Sequence, residues 1–510
     1  MMDEFDLIEP EVLDQIAPTT SGELMRHALF EQQPPDEMRI FTNRTLRMDH
    51  VRHIGFDLDW TLADYDRNAM SKLAFERTLD RMVERHGYPK EILKSEFRAD
   101  FARRGLMVDL EAGNVVKMNR HRYVGRAYHG REFIDPDERK QLYRLESINP
   151  AGARFHFLDT LFELPEVNIF SELVEMSARG SRKAALSGLK YRQLFKDVRK
   201  AIDTIHADGS LKEQILADLP TYLPRSELLV LALKRLALNG RRLMLITNSE
   251  WYYTDALCRR LFEGLLPDLR SWRDLFDLII VSAGKPAFFR KDRSFIEIGV
   301  DGEPGEAVDV PKWGGIYAEG CRSGLMKLIG DPGEQVLYVG DHIYGDVVSS
   351  KLASTWRTAL VVSELEDELR VRARLSSQQR HLDILREEFA EIGQRMDGLR
   401  DVVPLFKDVS TRGESLPDAA LDRTRDLAEQ LRAENKVMRQ QAKRLQARIS
   451  RAINPYWGSI FKQGDSKSFF GAQVDDFACL YTSKVSNFAY YGGKNYFRVL
   501  RDPMMHELAL

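Results

Sequence analysis

The segment Ile54-Gly55-Phe56-Asp57-Leu58-Asp59-Trp60-Thr61-Leu62 ends an apolar run with two aspartates two residues apart. Side chains alternate across a strand, so Asp57 and Asp59 leave the backbone on the same side, close enough to share one cation and one substrate. Two bare carboxylates held that close repel, and one is driven protonated unless a cation sits between them. The plain alternative is a pair of turn acids closing an edge strand.

A second acidic segment lies far along the chain, Val336-Leu337-Tyr338-Val339-Gly340-Asp341-His342-Ile343-Tyr344-Gly345-Asp346, again an apolar run ending in acid. Between the two lie Leu243 to Ile246, followed by Thr247-Asn248-Ser249, and Leu278 to Val281, followed by Ser282-Ala283-Gly284-Lys285-Pro286. Further strand-like runs at Arg39 to Phe41, Val51 to Phe56 and Thr358 to Val362 alternate with helical segments, the pattern of a parallel α/β sheet. In such sheets ligands bind outside the carboxyl ends of the strands, so four strands delivering polar groups there build one site.

The ordered set D-x-D-x-T, T-N-S, K-P and G-D-x-x-x-x-D resembles the haloacid dehalogenase (HAD) superfamily of aspartate-nucleophile phosphohydrolases. Thr160 to Glu166, Asp197 to Arg199, Gly209 to Glu213, Gly340 to Asp346, Ala472 to Val474 and Leu480-Tyr481 are similar to the IMP/GMP-preferring cytosolic purine 5'-nucleotidases. The resemblance spans nearly the whole chain. It implies a HAD-like Rossmannoid parallel sheet with an inserted cap and a C-terminal helical hairpin. The expected division is a catalytic core over 1–119 and 211–365, a substrate-specificity cap over 120–210, a helical hairpin over 366–453 and an aromatic segment over 454–510.

The resemblance also implies roles. Asp57 is the expected nucleophile, forming an aspartyl phosphate that water later hydrolyses, and Asp59 the expected general acid and base. Mg2+ is expected on Asp57, the Asp59 backbone carbonyl and Asp341, with Asp346 as outer-shell support or a partner of Lys285. Thr247 and Lys285 are expected to hold the phosphoryl oxygens, assisted by Asn248 and Ser249, with Lys212 reaching the phosphate from the cap. Phe162 is expected to stack on the base, with Glu163 and His206 among the base and ribose contacts. Singly, Thr247 and Asp346 also read as helix caps and Lys285 as a solvated loop residue.

Arg199, Asp203 and His206 follow i, i+4, i+7 and share one helical face. A guanidinium donates to the 6-oxo group or N7 of a purine, and a carboxylate accepts from N1–H and the guanine 2-amino group. By spacing alone an ordinary surface salt bridge is the commoner outcome; the resemblance favours base recognition. Three positions depart from the family pattern: Glu163 stands where the family has asparagine, Ala207 where it has tyrosine, and Trp60 where it has tyrosine in the first motif.

A chain of 510 residues exceeds one ordinary core. Its formal charge of -3 and pI of about 6.5 provide no global attraction to nucleic acid or an anionic membrane. No apolar run approaches a membrane span and the N-terminus is acidic, so a cytoplasmic protein is expected. Cys258, Cys321 and Cys479 are widely spaced and lack metal-ligand spacing, which reads as reduced thiols. Gly105 to Asn119 alternates around Glu111-Ala112-Gly113-Asn114, a hairpin pattern. Leu385, Phe389, Ile392, Met396 and Leu399 form one helical seam and Leu431, Met438, Ala442, Leu445 and Ile449 another, with Pro404 expected to separate them.

The expected function is a Mg2+-dependent 5'-nucleotidase acting on IMP and GMP, with phosphotransfer to a nucleoside as a near variant. The alternatives are a phosphatase for another phosphorylated metabolite and a non-catalytic scaffold built on the helical hairpin. The resemblance further implies a homo-oligomer, dimer or tetramer, and a nucleotide effector.

Overall fold

The computed structural model describes residues 34–144, 148–178, 190–265, 270–299, 301–411 and 418–499. Among these residues one compact unit takes in the chain up to Glu366 and resumes at Ile460; a second spans Asp367–Ser459.

The first unit is built on a ten-stranded sheet. Its centre comprises β1 (His53–Phe56), β2 (Arg242–Ile246), β3 (Leu278–Val281), β4 (Val336–Gly340) and β5 (Arg357–Val361), in the spatial order β5-β4-β1-β2-β3 with every neighbour parallel. Nearly every residue of these strands is buried, as parallel strands covered on both faces require. Ile316–Glu319 extends the parallel run beyond β3, and Phe295–Ile298 and Pro304–Val308 finish that edge antiparallel. On the other side Leu480–Thr482 pairs in parallel with β5 and antiparallel with the two-residue strand Phe41–Thr42. Part of the aromatic C-terminal stretch therefore enters the sheet, and the strand expected over Arg39 to Phe41 lies at Phe41–Thr42 instead.

The crossover from β1 to β2 carries most of the remaining structure. It opens with α1 (Arg67–His86), whose first turn is capped by Asp66 accepting from the Ala69 amide at 2.8 Å and whose end is set by Gly87 at φ 69°. A five-stranded antiparallel sheet follows, in the order Glu132–Phe133, Val124–His129, Asn114–Met118, Met107–Asp109, Phe155–Phe157. The hairpin read around Glu111 to Asn114 is present, with Met107 opposite Val116 and Asp109 opposite Asn114.

Two helices come next, α2 (Leu164–Ala178) and α3 (Tyr191–Ala207). In α3 the buried side chains Leu194, Phe195, Val198, Ala201, Ile202 and Ile205 recur at three- and four-residue intervals, which fixes the rotation of the helix. That rotation places Arg199, Asp203 and His206 together on a flank next to the buried stripe. After β2 the chain enters α4 (Trp251–Phe262).

The second unit contains two 36-residue helices, α5 (Ser376–Thr411) and α6 (Asp418–Ile453). Leu382 and Leu385, early in α5, pack with Ala442 and Ile449, late in α6, so the helices run antiparallel. The two seams fall on these two helices on either side of Pro404, and α5 runs on past that residue to Thr411. A proline forfeits one backbone hydrogen bond, a small fraction of those in a helix of 36 residues. Among the described residues no helix is long and apolar enough to cross a membrane.

Ile205 is 1% exposed and helps set the rotation of α3. Ile205→Ala is expected to cost roughly 2–5 kcal/mol of stability, read as a lowered midpoint in urea denaturation followed by circular dichroism.

Candidate active site

The carboxyl ends of β1, β2, β3 and β4 lie at a common height because the register is continuous: Val339 stands opposite Phe56, and Phe56 opposite Leu245. Asp57 continues this ladder, its amide donating to the Val339 carbonyl at 2.9 Å, and the Thr247 amide does the same to Ile280 at 2.9 Å. The chain then turns sharply. Trp60 adopts a left-handed φ of 56°, and the Leu58 carbonyl accepts from the amides of Thr61 at 3.2 Å and Ala63 at 2.8 Å. A bulky residue seldom holds that conformation, and strain of this kind tends to sit at functional turns.

Lys285 lies at the centre. Its ammonium is 2.8 Å from Asp57 Oδ1 and 2.9 Å from Asp346 Oδ1, and it donates to the Tyr338 hydroxyl at 2.9 Å. Burial opposes its charge, but Asp346 and Asp57 more than offset this and raise its pKa. Burial lifts the Asp57 carboxyl to about 7, against the pull of Lys285. Asp57 Oδ1 also accepts from the Leu58 amide at 2.8 Å, while no hydrogen bond from the described residues reaches Oδ2. Asp346 sits in a π-helical turn, Ile343–Val348, and its Oδ2 accepts from the His342 amide at 3.1 Å. A side chain at Gly340 would run into the Asp346 carboxylate, which accounts for the glycine before Asp341.

Asp57, Asp341 and Asp346 present carboxylate oxygens that all lie within 4.8 Å of one another. Asp341 is 3% exposed and its Oδ2 has no hydrogen-bond partner, with Arg104 Nη1 3.8 Å away. Burial pushes its carboxyl well above the usual range. A buried carboxylate oxygen left without a donor, beside two further carboxylates, is a donor set suited to a hard divalent cation such as Mg2+.

Asp59 is held differently. Tyr65 donates to Oδ1 at 2.6 Å, Ser249 Oγ donates to Oδ2 at 2.6 Å, and the Tyr65 hydroxyl lies 3.1 Å from that of Tyr253. The Ser249 hydroxyl is thus engaged with a carboxylate. The Asn248 side chain ties two loops, donating to the Lys285 carbonyl at 3.0 Å and accepting from the Lys285 amide at 2.7 Å. Thr247 is fully buried and its hydroxyl oxygen accepts from the Ser249 amide at 3.0 Å. Lys212 pairs with Glu250, its ammonium 5.2 Å from the centroid of the Tyr253 ring.

The second cluster of expected site residues adjoins the first through aromatic contacts. Trp60 meets Phe162 edge-on at 6.0 Å, and Phe162 meets His206 edge-on at 5.8 Å. Arg199 lies 3.7 Å from Asp203, but its shorter contacts are with Glu163 at 2.6 Å and Glu166 at 3.1 Å. His156 Nε2 lies 3.1 Å from the same Glu163 oxygen that meets Arg199. Burial disfavours the charge on Glu163, but His156 and Arg199 outweigh it and lower its pKa; burial raises Glu166 to about 7.

Several of these partners carry no individual signal in the sequence. Tyr338 is hidden inside the apolar run of β4, and Tyr65 and Tyr253 sit outside every motif. Arg104 is fully buried, donates to the Asp341 carbonyl at 2.8 Å and pairs through Nε and Nη2 with Glu364, whose pKa falls to about 2 because that pairing overcomes burial. It thereby clamps the backbone of the loop that presents Asp341. Arg104→Ala leaves Glu364 buried without its counter-charge, an expected loss of about 3–5 kcal/mol measurable by chemical denaturation. Arg104→Met is expected to lose less, because it keeps most of the side-chain volume.

Comparison with known proteins gives a consistent result. The 5' nucleotidase family matches residues 40–509. The chain is 28% identical over 507 residues to a Rattus norvegicus protein named 5'-nucleotidase domain-containing protein 2, covering 95% of this chain and 84% of the relative. It is 29% identical over 487 residues to the Homo sapiens protein of the same name, covering 92% and 85%.

Proposed function

Because the chain belongs to the 5' nucleotidase family, which makes it a hydrolase of nucleotide phosphomonoesters, we propose that it hydrolyses 6-oxopurine nucleoside 5'-monophosphates such as IMP and GMP. The observation that carries the reading is the convergence of Asp57, Asp59, Lys285, Asp341 and Asp346 at the ends of adjacent parallel strands.

In this reading Asp57 Oδ2, the oxygen left without a hydrogen bond, attacks phosphorus in line, and the bond from phosphorus to the ribose 5'-oxygen breaks. Asp59 gives its proton to the departing oxygen. The Ser249 hydroxyl can then donate to or accept from that carboxyl as its protonation changes, because a hydroxyl does both. Asp59 next takes a proton from the water that attacks the aspartyl phosphate, which releases phosphate and restores Asp57. Lys285 keeps an anionic nucleophile tolerable in a buried site and offers its charge to the phosphoryl oxygens. Mg2+ held by Asp57, Asp341 and the Asp59 carbonyl, with Asp346 behind them, would supply the charge that lets an anion approach an anion.

Base choice in this reading falls to Arg199 and Asp203, with Phe162 against the purine and residues 120–210 acting as the cap. An adenine offers a donor at position six where a 6-oxopurine offers an acceptor, and a guanidinium, which can only donate, leaves that mismatch unpaired.

The test is phosphate release from IMP, GMP, AMP and non-nucleotide phosphomonoesters, with and without Mg2+. Preferential Mg2+-dependent release from IMP and GMP is expected; equal release from every ester, or release that does not need the cation, would contradict the proposal. Asp57→Asn is expected to abolish turnover, and Asp59→Asn to slow it by roughly a hundredfold to ten-thousandfold.

A further inference from the structure

Among the described residues Arg199 makes hydrogen bonds through one nitrogen only, and Asp203 adds a longer ion pair at 3.7 Å. Its Nη1 is shared by Glu163, at 2.6 Å, and Glu166, at 3.1 and 3.2 Å to its two oxygens. Both glutamates are buried, at 6% and 2% exposure, whereas the Asp203 side chain is 67% exposed. Among the described residues Nε and Nη2 make no hydrogen bond, since Asp203 stands 3.7 Å from Nε. The buried end of the guanidinium is therefore fixed, and on its other edge, beside Asp203, Nε and Nη2 keep donors that no described residue uses in a hydrogen bond.

That edge has a defined chemistry. Nε and Nη2 present two parallel N–H groups, the fork that matches a pair of neighbouring acceptors. A 6-oxopurine shows such a pair, O6 and N7, on one edge; adenine shows one acceptor and one donor there. A guanidinium free to rotate could satisfy adenine through single contacts, so discrimination depends on holding the fork still.

We propose that Glu163, supported by Glu166, is a positioning residue for base selection: it holds Arg199 by Nη1 so that the Nε–Nη2 fork reads O6 and N7 of a 6-oxopurine. The inference rests on the hydrolase reading given above. His156 belongs to the device, because its Nε2 meets the Glu163 oxygen that receives Arg199 and the Asp159 amide donates to the other oxygen at 3.4 Å. Glu163 is thus held at both carboxylate oxygens by groups other than Arg199. The arrangement also gives the glutamate, which departs from the family's asparagine, a definite role, since a carboxylate grips a guanidinium more strongly than a neutral amide does.

The experiment compares wild type, Glu163→Gln and Glu163→Asp, with GMP, 7-deaza-GMP and AMP as substrates. In the wild type, kcat/KM for GMP should exceed that for AMP and for 7-deaza-GMP, which lacks the N7 acceptor. In Glu163→Gln, KM for GMP should rise by roughly tenfold or more while kcat changes little, and the penalties on AMP and 7-deaza-GMP should shrink. Glu163→Asp keeps the charge and should restore part of the preference.

An unchanged GMP to AMP ratio in Glu163→Gln would overturn the clamp, as would an equal loss on all three substrates, which marks a merely structural role. Calorimetric binding of the same three nucleotides separates the clamp from the activity. A wild type that binds GMP selectively but releases no phosphate defeats the hydrolase reading, and the clamp then stands or falls on whether Glu163→Gln narrows that selectivity. A wild type that binds GMP no better than AMP defeats the clamp.

Discussion

A single buried ammonium makes the rest of the site tolerable. Three carboxylates with oxygens within 4.8 Å of one another, away from water, would repel strongly; even at an effective dielectric constant of about 20 each charged pair costs several kcal/mol. Lys285 relieves two of them, Asp57 and Asp346, and leaves Asp341 with a bare oxygen. That oxygen faces Arg104 at 3.8 Å without a hydrogen bond, and a hard cation placed there would relieve the repulsion that remains. The same constraint explains why the sheet has to be parallel here. Adjacent parallel strands deliver their carboxyl ends to one place, and the continuous register of β4 with β1 brings Asp57 and the turn that carries Asp346 within reach of one lysine.

The cluster around Arg199 solves a related problem with the opposite emphasis. There the acids outnumber the base as well, but Glu163 and Glu166 lie deeper than the guanidinium they bind, so the cation is anchored from below and keeps an open edge. Burial opposes charge on both glutamates, yet it raises one and fails to raise the other, because Glu163 has His156 as a second partner. Trp60, Phe162 and His206 span the distance between this cluster and Asp59. A planar ligand joined to a phosphate would find aromatic surface between two charged ends.

Much of the architecture was legible because it rests on periodic or ordered signals. The five central strands read directly as apolar runs ending in polar groups, and the α3 flank followed from spacing alone. The edge strands Phe295–Ile298 and Pro304–Val308 did not, since short and partly exposed strands lack a strong pattern. The two long helices were legible from their apolar seams, whereas the point at which the first one ends, seven residues past Pro404, carries no such signal. At the site, the acids and Lys285 stood out through their order along the chain, while their partners did not. Tyr338 looks like any core aromatic, and Arg104 gains its role only through contacts 237 and 260 residues away. Glu163 was visible as a departure, but that it binds Arg199 more closely than Asp203 does is a matter of depth, which spacing cannot report.

The two ends of the large sheet differ from its middle in a way that bears on how copies of the chain can meet. One margin is the two-residue strand Phe41–Thr42, too short to template another chain. The other is Pro304–Val308, whose residues are almost all exposed and which begins with a proline and carries Gly305 and Glu306. Proline cannot donate to a further ladder and a charged residue makes a neighbouring strand unwelcome. A sheet this wide would otherwise be a seed for fibrous growth; with its margins blunted in this way, the large sheet offers little template on which another chain could add a strand.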